Sequence, residues 1–112
     1  MKIYHNPRCR KSRETLGIIE VNGKKVEIVE YLKTPPTKEE IENLLHKLNV
    51  NVKDIIRKNE VLYKEKFKNK EFTDDEWIII LTENPKLIER PIVVRGNKAV
   101  IGRPPENVLE LI

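Results

Sequence analysis

The only cysteine of the chain, Cys9, lies among cations near the N-terminus. Residues 5–13 read His-Asn-Pro-Arg-Cys-Arg-Lys-Ser-Arg, so four basic side chains lie within four residues of Cys9. The thiolate is the reactive form of cysteine, and both neighbouring cations and the first turn of a helix stabilise it. The stretch therefore predicts nucleophilic attack by a thiolate, at or beside a bound oxyanion.

The alternative for Cys9 is a small core residue, with the neighbouring arginines forming a solvated face. A polar, proline-led and cation-rich neighbourhood is a poor core position, so the reactive interpretation is favoured. His5 and Cys9 could in principle share a metal, but two histidines and one cysteine make a poor ligand set, and no metal is expected. His5 is expected to hydrogen-bond near Cys9, with packing at the strand end as the alternative.

The local pattern around Cys9 predicts a strand, a tight loop and a helix. Asn6 is the expected N-cap, with Pro7 at the first helical position, and Asn22 followed by Gly23 is a stop signal. On this register, or one starting a residue or two later, Cys9 lies in the first turn of the helix.

The strands on either side of this helix predict a βαβ unit. Residues 1–5 form a short strand, and residues 26–32, rich in β-branched side chains, form the second. The two strands should be parallel, with a right-handed crossover. The Cys9 loop then lies at the carboxyl end of the first strand, where open α/β sheets bind ligands.

Two capping boxes predict two helices in the middle of the chain. Thr37 precedes Glu40, and Thr73 precedes Glu76, each pair at the required spacing and each ahead of apolar residues. These helices form an insert between the βαβ unit and the C-terminal strands.

Between the two capped helices the pattern is weaker. Residues 52–56 predict a short helical turn. Residues 63–71 alternate lysine and glutamate around one phenylalanine, which predicts a mobile, solvated connection. Whether residues 63–70 close over the site as a lid is left open.

The C-terminal part predicts a β-hairpin. Residues 92–95 and 98–101 are β-rich and are separated by a Gly-Asn pair, and residues 108–112 supply an apolar last helix. The order β-α-β, helical insert, β-β, α predicts the α/β class and a thioredoxin-like fold, with a four-stranded mixed sheet, in one domain spanning residues 1–112. That fold has a cis-proline at the start of the third strand, and Pro91 occupies that place; the isomer of its bond is left open.

Composition indicates a protein of the cytoplasm. Among 112 residues, 22 basic and 18 acidic side chains leave a net charge of only +4, which does not point to nucleic-acid binding. One cysteine excludes an internal disulfide and fits a reducing compartment. No signal peptide and no apolar run of membrane length are found, so no membrane association is expected.

Several short motifs occur in order along essentially the full length of the chain. They are His5-Asn6-Pro7-Arg8-Cys9, Ser12-Arg13, Tyr31-Leu32, Thr34-Pro35-Pro36-Thr37, Arg57-Lys58-Asn59, Phe72-Thr73-Asp74-Asp75, Arg90-Pro91-Ile92-Val93-Val94 and Arg103-Pro104. In their order and spacing the chain resembles the glutaredoxin-coupled arsenate reductase family, the branch of the thioredoxin fold that also contains the Spx regulators.

The resemblance implies that Cys9 attacks arsenate, or a similar oxyanion, held by Arg57, Arg90 and Arg103. It also implies that an exogenous thiol such as glutathione then attacks the arsenic, with no bound cofactor, and that a glutaredoxin-type partner clears the mixed disulfide left on Cys9. Guanidinium groups suit this task, because they are permanently charged and present paired N–H donors. Lesser, supporting roles are implied for His5, Asn6, Ser12 and Arg13.

Two other functions are left open. A Spx-like regulator would bind RNA polymerase and switch through a Cys-x-x-Cys pair, but here the second position is Ser12. A glutathione-dependent thiol reductase with another acceptor would share the scaffold, since family membership predicts a site better than its substrate. Arsenate, phosphate and sulfate share shape and charge, so the sequence does not choose among them as ligands.

Overall fold

A four-stranded mixed sheet is the framework of the computed structural model, which describes residues 1–112. In the sheet β1 is parallel to β2 and antiparallel to β3, β3 and β4 form a hairpin, and the strand order is β2-β1-β3-β4. The predicted α/β class and mixed sheet are confirmed. The strands are β1 Lys2–His5, β2 Glu27–Glu30, β3 Ile92–Arg95 and β4 Lys98–Ile101.

The helical elements differ from the sequence prediction in type and number. The last element is a 3-10 helix, and a third α-helix lies between the two capped ones. The longest helix has 12 residues, and none combines the length and apolarity that crossing a bilayer requires. The α-helices are α1 Arg10–Val21, α2 Lys38–Leu48, α3 Val61–Lys66 and α4 Asp74–Glu83, and the 3-10 helices are Val52–Ile55, Pro85–Leu87 and Pro105–Leu111.

The chain divides into two compact units. The first consists of Met1–Thr34 and Arg90–Ile112 and contains the sheet, α1 and the last 3-10 helix. The second is Pro35–Glu89 and contains α2, α3 and α4. That residues 1–112 form one domain remains a prediction.

The core of the first unit joins the sheet to α1 and the last 3-10 helix. Ile3 of β1 and Val93 of β3 are paired in register, and both are completely buried. Ile19 of α1 and Val108 of the 3-10 helix are also completely buried and belong to the same cluster. Burial of each such side chain stabilises the fold by roughly 1.5–3 kcal/mol, so this cluster holds α1 and the last 3-10 helix against the sheet.

Both predicted capping boxes are present in the second unit. Thr37 Oγ1 accepts from Glu40 N at 3.2 Å, and Thr73 Oγ1 accepts from Glu76 N at 3.2 Å. In each case the glutamate carboxylate accepts from the threonine backbone N–H, which completes the box. The first residues of α2 and α4 are therefore fixed by side chains only three positions apart in the sequence.

The stretch of residues 63–71, predicted as a mobile, solvated connection, is largely exposed but partly helical. Val61–Lys66 form α3, and the aromatic residues of this stretch pack on α4. The rings of Tyr63 and Phe67 lie 6.2 and 5.9 Å from that of Trp77, and Phe72 lies 5.0 Å from it. The lysines and glutamates face solvent, but the aromatic rings bury enough surface to order the backbone.

The prediction that Asn6 is the N-cap of α1 is also wrong. The helix begins at Arg10, with Cys9 as the N-cap residue. Asn6 instead closes a turn: its Oδ1 accepts from Arg8 N at 3.0 Å, and its backbone carbonyl accepts from Cys9 N at 3.0 Å. An asparagine that bonds the backbone two residues on forms an Asx turn, which postponed the helix by three residues. The predicted stop is confirmed, with Asn22 as the C-cap and Gly23 at φ +69°.

Candidate functional site

Cys9 lies at the point where the loop after β1 becomes α1. Its carbonyl accepts the first helical hydrogen bond, from Arg13 N at 3.0 Å. The backbone N–H groups of the three intervening residues consequently have no acceptor within the helix. The Cys9 side chain is 8% exposed and makes no capping bond, so its sulfur lies at the positive end of the helix dipole with a narrow opening to solvent.

Arg103 provides a cation in contact with the sulfur. Its Nη1 lies 4.0 Å from Cys9 Sγ and 3.3 Å from the carbonyl oxygen of Arg90. The Arg103 side chain is exposed, and Arg103 and Cys9 are 94 positions apart in the chain. The structure therefore brings Cys9 and Arg103 together, and their roles toward an anion remain predictions.

Arg90 lies two residues before the start of β3. The bond from Arg90 to Pro91 is cis, which answers the question of its isomer, and the bond from Arg103 to Pro104 is also cis. The Nε and Nη1 atoms of Arg90 are buried. Arg90 is linked to Arg103 through its backbone carbonyl, so two of the three arginines predicted to bind the oxyanion belong to one contact.

His5 and Ser12 lie at the two ends of the Cys9 loop and contact each other. His5 Nδ1 is 2.6 Å from Ser12 Oγ, which also accepts from Asn6 N at 3.1 Å. Both side chains are buried. Burial lowers the pKa of His5, with the Glu30 carboxylate opposing that change and Arg13 adding to it, so the neutral imidazole is favoured.

Two further predicted residues shape the loop through its backbone. Arg13 Nη1 donates to the carbonyl of Pro7 at 3.0 Å, and Asn6 closes the Asx turn described above. Their contacts hold the turn that presents Cys9. Their supporting roles toward an anion remain predictions.

Arg57 lies in the second unit, immediately after the 3-10 helix Val52–Ile55. Its Nη1 is 2.7 Å from Glu60 Oε2 and its Nε is 3.8 Å from Glu89 Oε1. Its backbone N–H donates to Leu87 O at 2.7 Å. The predicted role of Arg57 in anion binding remains a prediction.

The sequence analysis missed both partners of Arg57. The spacing of three between Arg57 and Glu60 is a recognisable ion-pair signal, which could have been used. Glu89 is 32 positions away, and nothing local connects it to Arg57. It was missed because only the folded second unit places the two side chains together.

A separate cavity of about 390 Å³ lies within the second unit. It contains none of the predicted site residues. No group of three His, Cys, Asp or Glu side chains anywhere in the structure is arranged to hold a metal ion. The cavity is lined by Lys53, Ile56, Lys58, Tyr63, Lys70, Glu71, Phe72 and Trp77.

The sequence profile of the ArsC family matches residues 4–111. The chain belongs to the ArsC family. The match includes the Cys9 loop, Arg90 and Arg103, so the whole of the contact described above falls within the family's extent.

Three individual proteins match over nearly their full length. The uncharacterized protein YfgD of Escherichia coli (strain K12) is 47% identical, with 100% of this chain and 96% of that protein covered. The arsenate reductase of Neisseria meningitidis serogroup A is 40% identical, with 96% of this chain and 94% of that protein covered. The solved structure of the arsenate reductase from Vibrio cholerae superposes with a TM-score of 0.94 at 46% identity, covering 100% of this chain and 98% of that one. The thioredoxin-like arrangement expected from the sequence is therefore the arrangement of this family.

Proposed function

We propose that this protein is a thiol-dependent oxidoreductase that reduces arsenate to arsenite, with Cys9 as the nucleophile. The observation that carries the proposal is the placement of the chain's only thiol at the start of α1, with Arg103 Nη1 4.0 Å from Cys9 Sγ. Relatives named arsenate reductase at 40–42% identity support the choice of substrate.

Arsenate is held by paired N–H donors in this proposal. Arg90 and Arg103 supply guanidinium groups, and the free amides at the start of α1 supply backbone donors, beside the Cys9 sulfur. Arg57 is assigned a third guanidinium contact on the resemblance alone. Donors of this kind suit a tetrahedral oxyanion, because each planar fork reaches two oxygens at once.

The reaction consumes two thiols for each arsenate. The Cys9 sulfur forms a bond to As(V), and one arsenate oxygen leaves as water after taking up two protons. Glutathione, or a similar exogenous thiol, then attacks the arsenic, and coupling of the two sulfurs passes two electrons to the metalloid. Arsenite leaves, and Cys9 is left in a mixed disulfide with the exogenous thiol.

A second thiol exchange restores the protein. A glutaredoxin-type reductant attacks the mixed disulfide, takes over the exogenous thiol and releases the Cys9 thiolate. This chain has no second cysteine to act as an internal resolving thiol, so the reductant must come from outside. A reducing compartment such as the cytoplasm supplies it.

The first test is turnover with the purified protein, arsenate, glutathione and glutaredoxin, with released arsenite as the readout. We expect arsenite from the wild type and none from Cys9→Ser, because a serine hydroxyl does not act as a thiolate. Circular dichroism should show that Cys9→Ser is folded. If the wild type releases no arsenite but reduces another acceptor with glutathione, the protein is a thiol reductase of different specificity.

The second test replaces the guanidinium while the positive charge is kept. Arg90→Lys should raise the KM for arsenate about tenfold, because an ammonium group cannot donate two parallel bonds. Arg95→Lys is the matched control, since Arg95 lies at the other end of β3 and donates to Leu111 O. An unchanged KM in Arg90→Lys would count against the arginine-lined site.

A further inference from the structure

Gly102 immediately precedes Arg103, and it is packed too closely for any other residue. A Cβ added to Gly102 would lie 2.5 Å from Thr15 Oγ1 and 2.8 Å from Pro91 Cγ. Cβ atoms in proteins do not approach other heavy atoms so closely, and neither neighbour is the end of a long, flexible side chain. The absence of a side chain therefore allows three segments of the first unit to meet at one point.

Hydrogen bonds join the same three segments. Gly102 N donates to Pro91 O at 2.9 Å, which connects the end of β4 to the start of β3. Thr15 Oγ1 lies 2.8 Å from Lys11 O and 3.3 Å from Gly102 O. A threonine hydroxyl has one proton, so the bond to Lys11 is the stronger and the approach to Gly102 is secondary. Thr15 is completely buried, so its hydroxyl meets these two carbonyls without competition from solvent.

Each of these segments carries one part of the proposed site. Arg103 follows Gly102, Arg90 precedes Pro91, and Cys9 lies less than two helical turns before Thr15 on α1. The distance between Cys9 Sγ and the Arg103 guanidinium is thus set by backbone that passes through the Thr15–Gly102 contact. The Arg103 guanidinium also donates to the Arg90 carbonyl at 3.3 Å, so its position depends on the backbone on both sides of the Gly102–Pro91 hydrogen bond.

We infer that the Thr15–Gly102–Pro91 contact holds the Arg103 guanidinium at the Cys9 thiol, and that Thr15 and Gly102 are positioning residues of the oxyanion site. The inference rests on the proposed function for its catalytic meaning, but its geometry is testable without arsenate. The interaction of a charge with the sulfur weakens with distance and with intervening water, so a backbone shift of about an ångström at Gly102 is expected to matter.

The readout is the charge selectivity of Cys9 alkylation. Iodoacetate is an anion and iodoacetamide is neutral, so the ratio of their rate constants reports the positive charge beside the sulfur. The fraction of thiolate cancels in this ratio. Arg103→Ala provides the reference without the guanidinium, and the wild-type ratio should exceed it about fivefold, as expected for unit charges about 4 Å apart in a water-like medium. Equal ratios in the two proteins would overturn the inference.

Two variants then test the contact itself. Gly102→Ala forces Thr15 and Pro91 apart, and Thr15→Val keeps the side-chain volume but removes the hydroxyl. Both should lower the ratio by about a quarter, which is the change that an ångström of added separation gives at about 4 Å in a water-like medium. Thr15→Ser, which keeps the hydroxyl, should stay near the wild type. Circular dichroism establishes whether each variant is folded. If Gly102→Ala does not fold, the alkylation ratio of Thr15→Val alone tests the positioning role.

The outcomes separate this inference from the proposed function. Wild-type ratios in both folded Gly102→Ala and Thr15→Val would overturn the positioning role, even if the protein reduces arsenate. A lowered ratio in these variants supports positioning even if arsenate proves to be the wrong substrate, because neither alkylating agent requires turnover. Where turnover is observed, the same variants should raise the KM for arsenate more than they lower kcat.

Discussion

At the scale of single residues, the Cys9 loop is held by the buried contact between His5 and Ser12. Ser12 Oγ bridges His5 Nδ1 and the backbone N–H of Asn6, so the end of β1, the turn and α1 meet at one hydroxyl. A buried network of this kind is stabilising only when its members keep their partners. The neutral imidazole suits the site, because burial penalises its charged form.

This gives a prediction for the pH dependence of stability. The pKa of His5 is lowered from 6.5 by burial, so the unfolded chain binds a proton at a higher pH than the folded protein does. The stabilisation is complete above the unfolded value and is lost as pH falls below about 6.5 toward the folded value. The free energy of unfolding should therefore fall more between neutral and mildly acidic pH in the wild type than in His5→Gln.

Urea unfolding at a series of pH values measures the difference between the two proteins. His46→Gln serves as the comparison for removing an exposed imidazole from α2. Parallel pH profiles for the wild type and His5→Gln would contradict the prediction.

At the scale of elements, the second unit combines strong local signals with contacts that no local rule predicts. The capping boxes at Thr37 and Thr73 satisfy backbone N–H groups that the first turns of α2 and α4 leave open. The short helix α3 has no capping side chain and no buried residue. It is held instead by the aromatic rings that pack on Trp77.

Removal of one capping side chain should have a modest and local cost. Thr73→Ala should lower the free energy of unfolding by about 1 kcal/mol, because Glu76 N loses its acceptor. Chemical denaturation is the measurement. Thr34→Ala is the matched control, since Thr34 is exposed and its side chain makes no hydrogen bond, and a similar loss in both variants would argue against the cap.

Removal of one aromatic ring should cost more. Phe67→Ala should lower the free energy of unfolding by about 2 kcal/mol, less than for a fully buried phenylalanine because Phe67 is only partly buried. Lys68→Ala, at the next and exposed position, should change it by less than about 0.5 kcal/mol. Trp77 is the only tryptophan, so its fluorescence reports on the cluster, and an unchanged spectrum in Phe67→Ala would contradict the packing described here.

At the scale of the whole molecule, an excess of positive charge accompanies the proposed anion site. The net charge is +4. Glu14 is the acidic residue next to the basic stretch around Cys9, and its carboxylate pairs with Arg10 at 2.8 Å. A field of this sign favours the approach of an anionic substrate, and salt weakens it.

The kcat/KM for arsenate should therefore fall as sodium chloride is raised, with the change mainly in KM. Alkylation of Cys9 by neutral iodoacetamide is the control, since it involves no charged reagent and should depend much less on salt. An arsenate kcat/KM that is independent of salt would show that long-range attraction contributes nothing to capture.

The sequence by itself determined the features that depend on a few neighbouring residues. The capping boxes, the Gly-Asn hairpin between β3 and β4 and the end of α1 at Asn22 and Gly23 were all predicted correctly, because each depends on backbone groups within four or five positions. The parallel pairing of β1 and β2 also followed, since the handedness of a βαβ crossover leaves few choices.

Tertiary structure decided the features that depend on packing. The Cys9 thiol meets Arg103 across 94 positions. Position 102 has room only for glycine because Thr15 and Pro91 surround it, and α3 is ordered by packing on the Trp77 ring of α4. Even the start of α1 was misplaced, because the turn at Asn6 competes with the helix for the same backbone groups. Local propensities are worth about 1 kcal/mol or less at each position, so the burial of side chains from distant segments overrides them wherever the two disagree.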